Sequence, residues 1–285
     1  MRGTPSANGP ESPTDWRRVN WRAATRRVRN LRPRIFRAAQ AGDLKKVRSL
    51  QKLMRRSYSN TLLSVRRVTQ LNSGKHTPGV DKGVVKTPAA RGALVDELMT
   101  YQPWRGSPVR RVYIPKANGS HRPLGIPTIV DCCLQARIKN ALEPEWEACF
   151  EATRYGFRPG RSCHDAIAHI FTIARGRSRK VWVLDADIKR AFDAIDHNEL
   201  LARIGQFPGR DLIRQWLKAG YGEQGQWQAT PSRTPQGGVI SPRLVNIALP
   251  GMETVLGIRR NKAGQNRTPR ALIRYADDVR HFTKC

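Results

Sequence analysis

The segment Ile273-Arg274-Tyr275-Ala276-Asp277-Asp278-Val279 places two adjacent carboxylates after a strand-forming stretch. Along a straight strand, neighbouring side chains point to opposite faces, so two consecutive acids can serve one site only where the backbone bends. We therefore predict that Asp277 and Asp278 lie at the tip of a tight turn between two strands. A divalent cation would relieve the repulsion between two ionised carboxylates there. The alternative is an Asp-rich surface turn without a ligand.

A further pair of acids follows the run Val181-Trp182-Val183-Leu184, which predicts a buried strand. Asp185 and Asp187 share one face of this strand and Ala186 takes the other, so spacing leaves open which acid faces a site. A carboxylate that ends a buried strand is costly unless something pairs with it. One such acid beside a hairpin with two more is the arrangement that holds two Mg²⁺ ions for in-line phosphoryl transfer.

The composition is strongly basic. The 285 residues include 52 Lys and Arg against 22 Asp and Glu, a formal net charge of +30. Such a charge repels itself in the compact state and favours a polyanionic partner. Arg predominates over Lys, which suits phosphate binding and stacking on bases. A basic surface that serves only solubility or binds an acidic membrane is the alternative, although no apolar run reaches the ~18–20 residues that span a bilayer.

The cysteines and the N-terminus bear on the compartment. The cysteine count is odd and no Cys-x-x-Cys pair occurs, so neither a disulfide framework nor a zinc site is expected. Arg and polar residues fill the place of a signal peptide's apolar region. We therefore expect a cytoplasmic protein.

The N-terminal part is predicted to be helical. Residues 1–14 are rich in Gly, Pro, Ser and Thr and are expected to be disordered. Thr14 or Asp15 can cap a first helix. A second long helix opens after Gly42-Asp43, with an apolar stripe formed by Leu44, Val47, Leu50 and Met54 and continued towards residue 68.

The opposite face of these helices carries an excess of one sign of charge. A helix that is merely soluble would interleave acids at i+4. We therefore interpret this face as RNA-contacting, the alternative being a solvated charged surface. The candidate RNA-binding residues are Arg48, Lys52, Arg55, Arg66 and Lys75.

The middle of the chain carries a basic hairpin. Residues 108–115 alternate as a strand does, and Asn118-Gly119 favours a hairpin turn. Lys116 and Arg122 flank that turn, so both can reach one anion. The alternative is a simple exposed basic hairpin.

Further along the chain, residues 131–146 are predicted to form a helix, with apolar Leu134, Ile138 and Leu142 at four-residue spacing. The acids that gather around Pro144 are interpreted as surface residues: Glu143, Glu145 and Glu147.

Five motifs occur in a meaningful order: Tyr113-Ile114-Pro115-Lys116 with Arg122-Pro123-Leu124-Gly125-Ile126-Pro127; Tyr155-Gly156-Phe157-Arg158-Pro159-Gly160-Arg161-Ser162; Asp185 to Asp196; Pro235-Gln236-Gly237-Gly238-Val239-Ile240-Ser241-Pro242; and Tyr275-Ala276-Asp277-Asp278. With them the chain resembles a reverse transcriptase of the group II intron-encoded type. The resemblance covers about Thr77 to Asp278. It implies an α+β fold with right-hand polymerase fingers and palm, and a basic helical N-terminal extension.

The resemblance also implies roles for the acids. Asp187, Asp277 and Asp278 would be catalytic, and with Ile188 they would bind two Mg²⁺ ions. Asp187 and Asp277 would be the principal ligands and Asp278 the weaker third. Asp185 does not align with a family ligand and is expected to be a strand residue near the site.

Nucleotide binding is implied for four other residues. Lys116 and Arg122 would hold the triphosphate of the incoming nucleotide. Phe192 would lie beneath the sugar and select deoxynucleotides, although core packing is the other interpretation. Gln236 would lie near the nucleotide and the template base. The loop at 72–83, which carries Lys75, would lie over the template RNA. The implied partners are template or intron RNA, a DNA or RNA primer, and dNTPs, with no membrane; the oligomeric state stays open.

The resemblance divides the chain into a tail (1–14), the basic extension (15–83) and a fingers and palm domain (84–285) that is incomplete at its C-terminus, with the thumb absent. After the two acids, Val279 to Cys285 breaks the family's apolar pattern, so the second hairpin strand is expected to be poorly packed. Weak or absent stand-alone polymerase activity is expected of such a truncated chain. A non-catalytic intron-RNA-binding splicing cofactor and an RNA-templated RNA polymerase are the alternatives.

Overall fold

A computed structural model describes residues 12–100, 104–115, 119–175, 180, 182–188, 192, 195–223, 225–229, 237–261 and 264–284. The helices are α1 (Trp21–Gln40), α2 (Leu44–Arg56), α3 (Tyr58–Arg66), α4 (Pro88–Met99), α5 (Ile129–Cys149), α6 (Cys163–Arg175), α7 (His197–Ile204), α8 (Arg210–Lys218), α9 (Ser241–Ala248) and α10 (Met252–Val255), with a π-helical segment at Arg67–Leu71. The strands are β1 (Val109–Pro115), β2 (His121–Ile126), β3 (Trp182–Asp187), β4 (Tyr221–Glu223), β5 (Gln226–Gln228), β6 (Ala271–Tyr275) and β7 (Asp278–Thr283). The predicted mixture of helices and strands is confirmed.

The first helix begins later than predicted. The side chain of Asn20 accepts a hydrogen bond from the N–H of Ala23, so Asn20 is the N-cap of α1. Thr14, predicted as a possible cap, is used differently: its backbone N–H donates to the Asp96 carboxylate on α4 at 2.9 Å. Thr14 therefore ties the start of the described chain to α4.

The predicted second long helix is two helices. Ser57 takes an extended backbone conformation that ends α2, and its side chain caps α3. Val47, Leu50 and Met54 are buried as predicted, whereas Leu44 is 59% exposed and does not belong to the apolar stripe. Leu44 is the first residue of α2 and precedes the turns that contact the rest of the core.

Helix α5 is the centre of the main hydrophobic core. Helices α1, α2 and α3 all pack against it. Its predicted apolar positions Leu134, Ile138 and Leu142 are buried in one cluster that continues to α9. The N-terminal helices and the middle of the chain therefore share a single core. Among the described residues, none of the helices combines the length and apolarity needed to cross a bilayer.

One sheet has the strand order β2-β1-β4-β5. The predicted hairpin of β1 and β2 is antiparallel, with Ile114 opposite Arg122. The tip residues 116–118 lie outside the described residues. Strands β4 and β5 form an antiparallel hairpin between Tyr221 and Gln228.

The second sheet has the order β3-β7-β6. The predicted turn between two strands at the paired acids is present, as β6 and β7 are antiparallel with Tyr275 opposite Asp278. The prediction that β7 is poorly packed is wrong, because Val279 and Phe282 are buried in the clusters on the two sides of this sheet.

Strand β3 was predicted to be buried, and that prediction is also wrong. Trp182, Val183 and Leu184 are 63%, 52% and 62% exposed. The physical reason is position: β3 is the edge of the sheet and pairs with β7 on one side. An apolar sequence predicts a strand here but does not determine which faces of that strand are covered.

Candidate active site

The acids from the two distant segments meet on the second sheet. Asp187, the last residue of β3, lies opposite Asp278, the first residue of β7. Residues opposite each other in an antiparallel pair have Cβ atoms roughly 4.5–5.5 Å apart on the same face. The next backbone contact fixes the third acid, because the N–H of Ile188 donates to the carbonyl of Asp277 at 3.0 Å. Asp187 and Asp278 are exposed and Asp277 is half-buried, so a substrate can reach all three.

Asp185 is paired elsewhere. It lies opposite Arg280 in the β3–β7 ladder and forms an ion pair with it. Its charge is neutralised two residues away from Asp187, consistent with the expectation that it is a strand residue near the site.

The tight turn is held from the side by the loop at 153–157. Ala276 is buried and has φ +57°, a conformation uncommon for a residue with a Cβ. Gly156 lies against it so closely that a Cβ built on Gly156 would be 2.1 Å from the Ala276 nitrogen. Tyr155 donates its N–H to the carbonyl of Arg274 at 2.8 Å, and Arg274 donates to Thr153 at 3.0 Å. The loop thereby continues the sheet beyond β6 and fixes the turn.

The three carboxylates suit a hard cation, but they do not supply a complete coordination shell. Among the described residues, no three or more His, Cys, Asp or Glu side chains are arranged to hold a metal ion. Mg²⁺ is usually bound through one or two carboxylates, with waters and substrate phosphates completing its shell. Asp187 and Asp278 on facing positions, with Asp277 beside them, match that requirement in chemistry. Their roles as metal ligands stay a prediction.

Two of the four predicted nucleotide-binding residues are described. Arg122 is exposed on β2, and Phe192 is half-buried at the edge of the main core. Lys116 and Gln236 lie outside the described residues. Gly237, next to Gln236, has φ +116°, and a Cβ on it would be 2.4 Å from the Gly125 carbonyl oxygen of β2. This contact places Gly237 against the hairpin that carries Arg122.

Beneath the site lies a cluster of buried ion pairs that the sequence did not predict. Glu143, Glu145 and Glu147, predicted as surface acids, all pair with arginines. Arg243 on α9 is fully buried and bridges Glu143 to Glu147. Burial raises the pKa of Glu143, but Arg243, Arg32 and Lys139 together outweigh that effect and lower it. Helix α5 can hold these acids away from solvent because arginines from α1, α2, α9 and the loop at residue 158 surround the helix.

A second buried group connects this cluster to the turn. Arg154 donates to the Asn246 carbonyl at 2.6 Å, and the Asn246 amide donates to the Gly156 carbonyl at 2.9 Å. Arg274 donates to the Leu249 carbonyl at 2.6 Å. Burial, with Arg154 nearby, lowers the pKa of Arg274 to about 9. In a chain this basic, the sequence gives no signal that separates such buried arginines from surface ones.

The predicted RNA-binding residues divide into two groups. Lys52 is exposed on α2. Arg48 instead pairs with Glu145 at 2.8 Å, and the Arg66 guanidinium stacks on the Trp21 ring at 4.5 Å. Lys75 is half-buried and donates to the Gln70 carbonyl at 3.3 Å.

The fifth candidate, Arg55, is half-buried, and its carbonyl accepts a hydrogen bond from Arg137 at 2.7 Å. RNA contact stays a prediction for all five, with Lys52 the most accessible.

Two family models match this chain. The family described as "Reverse transcriptase (RNA-dependent DNA polymerase)" matches residues 114–284, which include all three acids. The chain belongs to the reverse transcriptase family. The family described as "N-terminal domain of reverse transcriptase" also matches this chain, over residues 16–98.

Two curated proteins are similar in sequence to parts of this chain. Protein YkfC of Escherichia coli (strain K12) is 43% identical over 202 residues, which is 66% of this chain and 52% of that protein. The group II intron-encoded protein LtrA of Lactococcus lactis subsp. cremoris is 45% identical over 155 residues, 53% of this chain and 25% of LtrA. A solved structure, "Partial Cas6-RT-Cas1--Cas2 complex", aligns with a TM-score of 0.42 and 20% identity over 80% of this chain and 38% of that chain. The chain thus spans about half of the first relative and a quarter of the second.

Proposed function

We propose that this chain carries the nucleotidyl-transfer centre of an RNA-directed DNA polymerase of the group II intron type. The observation that carries the proposal is the position of Asp187 opposite Asp278, with Asp277 hydrogen-bonded to the residue after Asp187. Three acids from segments about 90 positions apart in the sequence meet at one end of the second sheet, where β3 ends and β7 begins. The family match over residues 114–284 supports this reading.

The proposed roles follow from chemistry and position. When bound, Mg²⁺ ions would supply Lewis-acid stabilisation of the primer 3′-hydroxyl and of the departing pyrophosphate. Asp187, Asp277 and Asp278 orient these groups from this end of the sheet. Arg122 on β2 adds positive charge towards the triphosphate, and Phe192 lies against the sugar.

We also propose that the two sheets belong to the two polymerase subdomains. The sheet β2-β1-β4-β5 corresponds to fingers and the sheet β3-β7-β6 to palm. We keep the proposed division into a basic extension at 15–83 and a fingers and palm domain at 84–285, although the two share one hydrophobic core.

Template RNA is the proposed polyanionic partner. A net charge of +30 makes binding to phosphates favourable and salt-dependent. Lys52 and Arg56 are exposed on α2, so they are available to a backbone that crosses the N-terminal helices.

The test is addition of a single deoxynucleotide to a 5′-labelled primer annealed to RNA, with Mg²⁺ and one dNTP. This readout needs the site but not long synthesis. We expect slow but measurable addition by the wild-type chain, and at least a 100-fold loss in Asp187→Asn and Asp277→Asn because an ionic ligand is removed.

The matched control is Asp185→Asn. Asp185 lies on the same strand, and its ion pair with Arg280 is largely exposed, so its loss should change the rate little. Equal rates in all three variants, or no addition by the wild-type chain, would contradict the proposal.

A non-catalytic splicing cofactor is the second candidate. The observation that favours it is that Lys52 and Arg56 lie on helices, apart from the strands that carry the acids. Intron RNA binding and splicing that survive unchanged in Asp277→Ala would favour this second function.

A further inference from the structure

Phe157 has a backbone conformation that is unusual for an aromatic residue. Its φ is +58°, in the left-handed region that glycine adopts freely and bulky side chains rarely do. Its ring is also 43% exposed, so burial does not explain why a phenylalanine stands there. Strain of this kind persists only where the surroundings impose it, and it is concentrated at functional sites.

The surroundings of Phe157 fix its backbone on both sides. Before it, Gly156 abuts the Ala276 nitrogen, and its carbonyl accepts a hydrogen bond from Asn246 at 2.9 Å. The Phe157 carbonyl accepts from Arg243 at 3.3 Å. After it, Arg158 donates to Glu147 at 2.9 Å. The strained residue is therefore tied to both the turn of the acids and the buried ion pairs.

The ring that this backbone presents meets Phe192. The two ring centroids are 6.2 Å apart with an interplanar angle of 77°, an edge-to-face contact. Such pairs prefer this geometry and stabilise it beyond simple burial. Within residues 189–194 the structure describes Phe192 alone, and besides this ring contact Phe192 packs at the edge of the main core.

We propose that Phe157 is a specificity-determining residue that holds the Phe192 ring in place to discriminate 2′-deoxyribonucleotides from ribonucleotides. The inference rests on the proposed function, in which Phe192 lies against the sugar. A rigid ring can reject an extra hydroxyl only if the ring itself cannot move aside, and Phe157 provides that restraint. The strained backbone is explained because it aims the Phe157 ring at Phe192 from the loop that also braces the acids.

The test compares deoxy and ribo substrates in Phe157→Gly. Glycine accepts φ +58° without strain, so this change removes the ring and leaves the backbone path favourable. A dideoxy-terminated primer on an RNA template stops chemistry, so the affinities for dATP and ATP, which differ only at the 2′ position, can be read directly. Single-nucleotide addition on an ordinary primer supplies a second ratio.

We expect Phe157→Gly to lower the preference for dATP over ATP about three- to tenfold, mostly through tighter ATP binding. Phe192→Ala should lower it at least as far, and the double variant no further than Phe192→Ala. Phe171→Ala removes an exposed phenylalanine of α6 and should leave the ratio unchanged. Phe157→Leu is the fallback should the glycine variant not fold, with a smaller loss of preference.

Two results from the variants would overturn the inference. One is an unchanged ratio in Phe157→Gly while Phe192→Ala changes it. The other is an equal loss of affinity for dATP and ATP, which marks a purely structural role. A wild-type chain that adds both nucleotides equally well would also overturn it while leaving nucleotidyl transfer standing. A wild-type chain that adds neither contradicts the proposed function itself.

Discussion

Replacing Arg243 with methionine removes the charge at the centre of the buried ion pairs while keeping much of the side-chain volume. Arg243 is fully buried, and it bonds Glu147 at 2.6 Å and also Glu143. Arg243 also donates a hydrogen bond to the Phe157 carbonyl, which links it to the loop that braces the acids. The substitution therefore tests whether this cluster supports the fold.

The expected loss of unfolding free energy depends on which charged partners Glu143 and Glu147 keep in the variant. Removing one partner of a buried ion pair costs about 3–5 kcal/mol, because the other charge stays buried without compensation. Here Glu143 retains Arg32, and Glu147 retains Arg158 at 2.8 Å. We therefore expect the lower end, about 3 kcal/mol. For a domain of this size, that corresponds to a fall in Tm of roughly 6–12 °C.

The assay is urea unfolding followed by tryptophan fluorescence, with thermal unfolding alongside. Arg214→Met is the control, because the Arg214–Asp211 pair is exposed and exposed pairs contribute about 0–1 kcal/mol. A loss below about 1 kcal/mol in Arg243→Met, or equal losses in the two variants, would refute the reasoning that Arg243 compensates buried carboxylates.

Three further outcomes are expected. Gly156→Ala should cut single-nucleotide addition on the order of 10- to 100-fold, because its new methyl group would displace the Ala276 turn; an unchanged rate would show that the turn tolerates the shift. The pKa of Glu143 is lowered in the folded state, so its contribution to stability is present above about pH 4.3 and is lost as pH falls through the folded value. The unfolding free energy of Glu143→Gln should therefore vary less with pH in that range than that of the wild-type chain. Parallel curves for the two proteins would contradict this. Lys52→Ala should reduce the salt slope of RNA binding by about 1 while leaving Tm unchanged, whereas Arg48→Ala should lower Tm.

Local patterns predicted the elements around the acids well. Two consecutive aspartates after Ile273 to Ala276 can share a site only at a bend, and the bend lies there. The four-residue spacing of Leu134, Ile138 and Leu142 likewise placed the buried face of α5. In these segments, short-range geometry alone decides the outcome.

Burial was predicted less well because it depends on distant segments. The run from Trp182 to Leu184 is apolar, yet it is exposed because β3 is at a sheet edge. Glu143 and Arg243 are charged, yet they are buried because they meet across 100 residues. Spacing within one segment carries no information about such partners, and neither the strained φ of Phe157 nor its contact with Phe192 follows from sequence alone.

Cleavage of the backbone by hydroxyl radicals generated at bound Fe²⁺ tests most directly whether the acids converge on one cation. Fe²⁺ occupies oxygen-rich Mg²⁺ sites and needs no catalysis to report its position. We predict cuts near Asp187 and within Ala276 to Asp278, suppressed by excess Mg²⁺ and by Asp187→Asn but not by Asp185→Asn. Cuts confined to other segments, or cuts that survive Asp187→Asn unchanged, would contradict a shared metal site at this end of the sheet.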